Sequence, residues 1–200
     1  MREILPAIFT WPWFSQPHGY NFNGWLVCHP GGNLCIDPVE PTTETLAELT
    51  RQGVSHILLT NRNHVRAANQ VRARTGARTA IHPEDATYAR GQKADLDDEL
   101  RVGEKIGPFV IVGVPGKSPG EIALHWLERR ILLVGDSVIG NPPGHCTLLP
   151  ERVMDDPTRL RASVKQLLAL DFDTLLVGDG EPILQDAKER LRELVATFPA

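Results

Sequence analysis

The sequence predicts an α/β protein built as a layered sandwich, two sheets with helices outside them, and three observations carry that prediction. Residues 56–76, HILLTNRNHVRAANQVRARTG, pass from a short apolar run of β propensity through a turn into a helix that Gly76 stops. Apolar runs at 109–114, 122–126 and 131–134 follow one another with turn residues between them, the pattern of an antiparallel meander and hence of a second sheet. Stretches at 158–170 and 183–198 repeat Leu, Val and Ala at helical spacing, which gives each an apolar stripe to lay on a sheet.

Taken in order, residues 3–11 and 25–29 read as strands joined by an aromatic loop, TWPWFSQPHGYNFNG, expected to cover the core or to act as a lid. Gly31 and Gly32 turn the chain into a strand over 33–36, so that strand, Gly-Gly and strand form a hairpin ending in Asp37-Pro38. Thr42 or Thr43 caps a helix carrying Leu46 and Leu49, and Gly53 closes it. Beyond the central helix comes a strand over 79–82, then a short helix with Pro83 in its first turn. Residues 90–107 are charged and weakly periodic, a surface excursion or short hairpin. The Pro- and Gly-rich stretch 139–150 is a loop, and 174–177 is the last strand.

The chain's 200 residues, 42% hydrophobic, suffice for one sizeable core, and no linker-like segment divides them, so residues 1–200 are expected to form a single domain. A net charge of -4 with acidic and basic side chains interspersed offers no basic stripe for nucleic acid and no polybasic anchor for a membrane. The apolar runs are too short to span a bilayer and the N-terminus lacks a signal peptide's apolar core, which leads us to expect a soluble, cytoplasmic protein. Cys28, Cys35 and Cys146 are too few and too scattered for a disulfide framework and read as buried thiols. Cys28 beside His29 and Cys146 beside His145 invite a nucleophile reading, but strand neighbours point to opposite faces and adjacency alone is no evidence of a dyad. VGVPGKS ends like a phosphate-binding loop, but Ile111 stands where that motif needs glycine and Pro119-Gly120 interrupts the required helix. The exposed aromatics could equally form a homodimer contact.

Read together, the loops at strand ends carry TNRNHVR, GKSPG, GDS and GDG. In order and spacing this set resembles the metallo-β-lactamase superfamily, whose hydrolases present HxHxDH, GH[ST]PG, a GD pair and a late GH on successive loops. The hairpin GWLVCHPGGNLCIDPVEPTTE is similar to that family's opening. The resemblance implies a four-layer αββα sandwich and a two-metal hydrolytic centre. Carried over residue by residue, its first-metal positions fall on Asn61, Asn63 and Lys117, and its second-metal positions on Val65, Arg66 and Asp179. Asp136 takes the bridging position and alone keeps its residue type.

Asparagine amides are poor metal donors, valine donates nothing, and the cations Arg66 and Lys117 repel a dication. The sequence therefore leads us to expect no metal and no other cofactor. These seven positions would form a pocket for a small charged ligand, with Arg66 and Lys117 offsetting Asp136 and Asp179 in a salt-bridge network, in a protein that binds rather than catalyses. The alternative is a hydrolase of the superfamily with a rearranged site, using zinc or manganese held by Asp136, Asp179 and nearby histidines, or acting without metal. His64, expected to start the helix, and His145 are the accessory candidates. Asp37 is expected to order the loops through hydrogen bonds.

Overall fold

Strands β1 (Arg2–Leu5), β2 (Ile8–Ser15) and β3 (Tyr20–Val27) open the chain as an antiparallel meander in the computed structural model, which describes residues 1–199. Ala200, the last residue of the expected 1–200 domain, lies outside the described residues. The stretch expected to be an aromatic loop is thus mostly strand: β2 and β3 pair continuously from Ile8↔Val27 to Ser15↔Tyr20. Rings at Trp11, Trp13, Tyr20 and Phe22 favour extended backbone. Pro12 is tolerated because it lies beyond the last residue of β2 that β1 pairs, where the strand is an edge.

The chain divides into two compact units, Met1–Arg101 and the residues from Val102 onward. In the first, β4 (Leu34–Ile36) forms the expected hairpin with β3, and β5 (His56–Leu59), β6 (Arg78–Ile81) and β7 (Asp98–Glu99) continue the sheet in parallel. Its order is β1-β2-β3-β4-β5-β6-β7. Parallel neighbours need crossovers. These are α1 (Thr43–Gln52), α2 (Ala68–Thr75) and α3 (Pro83–Gly91). Thr42 caps α1 by accepting the Thr45 N–H, while Gly53 and Gly76 end α1 and α2 at φ 73°, a conformation that favours glycine. Leu26, Cys35, Ile57 and Leu59 from the strands pack with Leu49, Ala68 and Val71 from the helices in one core.

The second unit holds β8 (Lys105–Ile106), β9 (Phe109–Gly113), β10 (Ile122–Trp126), β11 (Ile131–Val134) and β12 (Thr174–Val177), in the order β12-β11-β10-β9-β8. The meander β9-β10-β11 is the one expected, and β12 adds in parallel to β11 through α4 (Pro157–Leu167). Residues 90–107, expected to be an excursion, supply the short edge strands β7 and β8. The last helix, α5 (Ala187–Ala196), starts later than expected: Ile183 exchanges both backbone hydrogen bonds with Leu175, at 2.7 and 2.9 Å, and Asp186 turns the chain with φ 56°. Leu160, Val164, Leu167 and Leu191 close the core over Leu132, Val134, Leu175 and Val177. Among the described residues no helix is long and apolar enough to cross a membrane.

Candidate functional site

In the first unit the loop from β5 to α2 is organised by Asp37, which follows β4 with φ 48° and is fully buried. Its carboxylate accepts the Thr60 N–H at 2.8 Å and the Thr60 hydroxyl at 2.6 Å, and pairs with His64 Nδ1 at 2.9 Å. Asp37 therefore orders the loop as expected. His64, wholly buried, spends its Nδ1 hydrogen on that carboxylate, and α2 begins only at Ala68, so His64 stands in the turn before the helix.

Asn61 is also wholly buried, and its Oδ1 accepts the Asn63 N–H at 2.8 Å, a local turn that occupies the amide's one acceptor. Arg62 stacks on Tyr88 at 4.6 Å while its N–H donates to Asp85. Val65 packs into the apolar core. Arg66, with φ 30°, lies 4.6 Å over the Phe22 ring and lines a cleft of about 310 Å³ with Trp13, Phe22, Val39, Glu40 and Ala67. Sequence reasoning missed that cleft because it took Trp13 and Phe22 for loop residues. The alternation of aromatic with small or polar residues along β2 was the signal for strand.

The second unit brings three of the candidates together. Lys117, in the loop after β9, places Nζ 2.9 Å from Asp136 Oδ2, and both residues are buried, at 7% and 5% exposure. One carboxylate oxygen each of Asp136, after β11, and Asp179, after β12, lie within 4.8 Å of each other. The loop that carries Lys117 is tied to α4 and its cap: Gly116 O accepts the Asp156 N–H at 2.8 Å, and the Ser163 hydroxyl donates to Pro115 O at 2.8 Å. His145 is exposed and lines a cavity of about 350 Å³ whose walls include none of Lys117, Asp136 and Asp179. Its neighbour Cys146 is pushed up to about 12 by burial and then by the Glu193 charge, so the thiol is neutral near pH 7 and is not a nucleophile there.

These residues do not reproduce the metal ligands that the resemblance implies. Val65 is core, the Asn61 oxygen is engaged in a turn, and at Lys117 a cation stands against the carboxylate that would bridge two metals. The donors that remain in the second unit are Asp136 and Asp179.

A family described as "Metallo-beta-lactamase superfamily" matches residues 2–198. A hydroxyacylglutathione hydrolase of Fuscovulum blasticum is 32% identical over 154 residues, covering 73% of this chain and 56% of the relative. The chain thus spans about half the length of the curated relatives it matches. Among solved structures, a metallo-beta-lactamase from Pontibacter korlensis matches with a TM-score of 0.79 at 15% identity, covering 98% of both chains. A protein solved in a di-iron-bound form is 25% identical, with a TM-score of 0.69 over 90% of this chain and 98% of the other.

The comparisons correct the expectation that the protein works with no cofactor, since the relatives are named as hydrolases and a structural neighbour of 25% identity is solved with iron bound. The error has a physical source. That expectation assigns the charge of Asp136 and Asp179 wholly to Arg66 and Lys117, whereas two adjacent buried carboxylates also offer oxygen donors to a metal cation. The same relatives favour the hydrolase alternative over the non-catalytic module. Matched along nearly its whole length and folded as the family's two sheets with their helices, the chain belongs to the metallo-β-lactamase superfamily.

Proposed function

We propose that this protein is a metal-dependent hydrolase of small anionic thioesters with a rearranged metal site. The observation that carries the reading is the 32% identity to a hydroxyacylglutathione hydrolase over 73% of the chain. In the reaction water adds to the acyl carbon and the carbon–sulfur bond breaks, releasing a hydroxy acid and a thiol. A metal bound in such a protein supplies Lewis acidity and an activated water. In this chain Asp136 and Asp179 are the carboxylates offered to it, and Lys117 is a fixed positive charge beside them.

Arg66 and the aromatic cleft it lines suit the charged and apolar parts of such a substrate. The fixed positive charge of Lys117 favours an anionic substrate over a neutral one. We place the protein in the cytoplasm, where its three free thiols stay reduced.

The test is release of free thiol from S-lactoylglutathione by the full chain, loaded in turn with zinc, manganese and iron. Metal-stimulated turnover that falls about ten- to a hundredfold in Asp179→Asn is expected, in line with the cost of losing a group that supports a metal site. Background rates under all three metals, with the protein folded, would sink the hydrolase reading.

A further inference from the structure

In the second unit the family's ligand set is changed at Lys117 and Asp179, and of the two only Lys117 puts a cation where the family has a donor. Its ammonium does not reach outward to solvent as most lysines do. It is 7% exposed and holds Asp136 at 2.9 Å. The backbone beneath it has little freedom to withdraw. Gly116 has φ 142°, and a Cβ there would meet the Leu160 backbone at 2.3 Å, so the loop lies directly on α4. Gly116 and Pro115 carbonyls are held by the Asp156 N–H and the Ser163 hydroxyl, and the Val114 N–H donates to Glu121 O at 2.8 Å. A metal ion approaching Asp136 beside Lys117 would have either to displace this ammonium or to sit next to a like charge at low dielectric.

We propose that Lys117 is a resident cation that takes the place of one metal in the two-metal centre of this family, so that the chain binds no more than one metal ion. The inference rests on the hydrolase reading for its relevance but not for its test, since it is read from metal content and not from turnover.

The purified full chain would be stripped with chelator, reloaded with excess zinc or manganese, desalted and measured by elemental analysis, with affinity followed by titration and the fold by circular dichroism. At most one ion per chain is expected for the natural sequence and for Lys117→Arg, which keeps the charge. Lys117→Met removes the charge without adding a donor and should tighten metal binding at least about tenfold without raising the count. Lys117→His supplies a donor in place of the cation and should raise the count by one.

Two ions in the natural sequence would overturn the proposal. So would folded Lys117→Met and Lys117→His proteins whose metal content and affinity match the natural chain, including the case in which none of them holds metal. One ion per chain together with no thioester hydrolysis would refute the proposed function and leave the role of Lys117 standing.

Discussion

Asp37 shows how a single side chain can set the shape of a loop. It lies at the end of β4, yet its carboxylate receives the backbone and hydroxyl hydrogens of Thr60 at the end of β5 and faces the His64 ring, all of them buried. Such a group satisfies several donors at once, and its removal leaves each without water to replace it. Asp37→Ala should therefore cost about 3–5 kcal/mol of stability, the range for breaking a buried pair by deleting one partner. Urea denaturation of the folded variant checks this, and a loss below about 1 kcal/mol would mean that the loop holds its shape without Asp37. The Asp-Pro at a strand end made Asp37 readable as a loop organiser. Its partnership with His64 was not readable, because the two meet only once β4 and β5 lie side by side, a pairing that joins Ile36 to Leu58.

At the scale of elements, Asp97 ties three of them together. It precedes β7, its carboxylate receives the Arg72 guanidinium from α2, and it accepts the Thr79 N–H of β6 at 2.8 Å. The Arg72 hydrogen bonds, helped by the Thr79 N–H, lower its carboxyl from 3.8 to about 2. A depressed carboxyl pKa contributes stability that is fully present above the unfolded value and is lost as pH falls through the folded one. Asp97→Asn should thus melt below the natural protein above pH 4, and the gap should close as pH falls from about 4 to about 2 and narrow in high salt, because the pair is partly exposed. A gap independent of pH would assign the effect to packing instead.

The same region marks the limit of sequence reading among the elements. Helices α1 and α2 were legible from Thr42, Gly53 and Gly76, whose chemistry is local. The strand β7 was not, since Asp98 and Glu99 carry no apolar pattern and are held by their neighbour β6. The start of α5 was likewise hidden, because Ile183 fits a helical stripe but is claimed by a bridge to Leu175. At the candidate site, the order of the strand-end loops showed the fold, and Asp136 with Lys117 was anticipated as an ion pair. The cleft beside Arg66 was hidden, because aromatic residues expected in a loop prove to line the strands that wall it.

For the whole molecule the question is whether two compact units behave as one domain. Each has its own apolar core, yet a single family description runs through both, over residues 2–198. Units of about 100 residues bury a smaller share of their surface than one chain of about 200 and gain correspondingly less from the hydrophobic effect. We therefore expect one cooperative unfolding transition.

The distribution of tryptophan makes the test direct: Trp11, Trp13 and Trp25 lie in the first unit and Trp126 in the second, so fluorescence reports chiefly on the first while far-ultraviolet circular dichroism reports on both. The two melting curves should coincide. Leu132→Ala, which opens a cavity in the second core and should cost about 2–5 kcal/mol, should lower the fluorescence midpoint as much as the dichroism midpoint. A fluorescence transition left in place by Leu132→Ala would show instead that the first unit folds without the second, and that residues 1–200 are two domains under one family pattern.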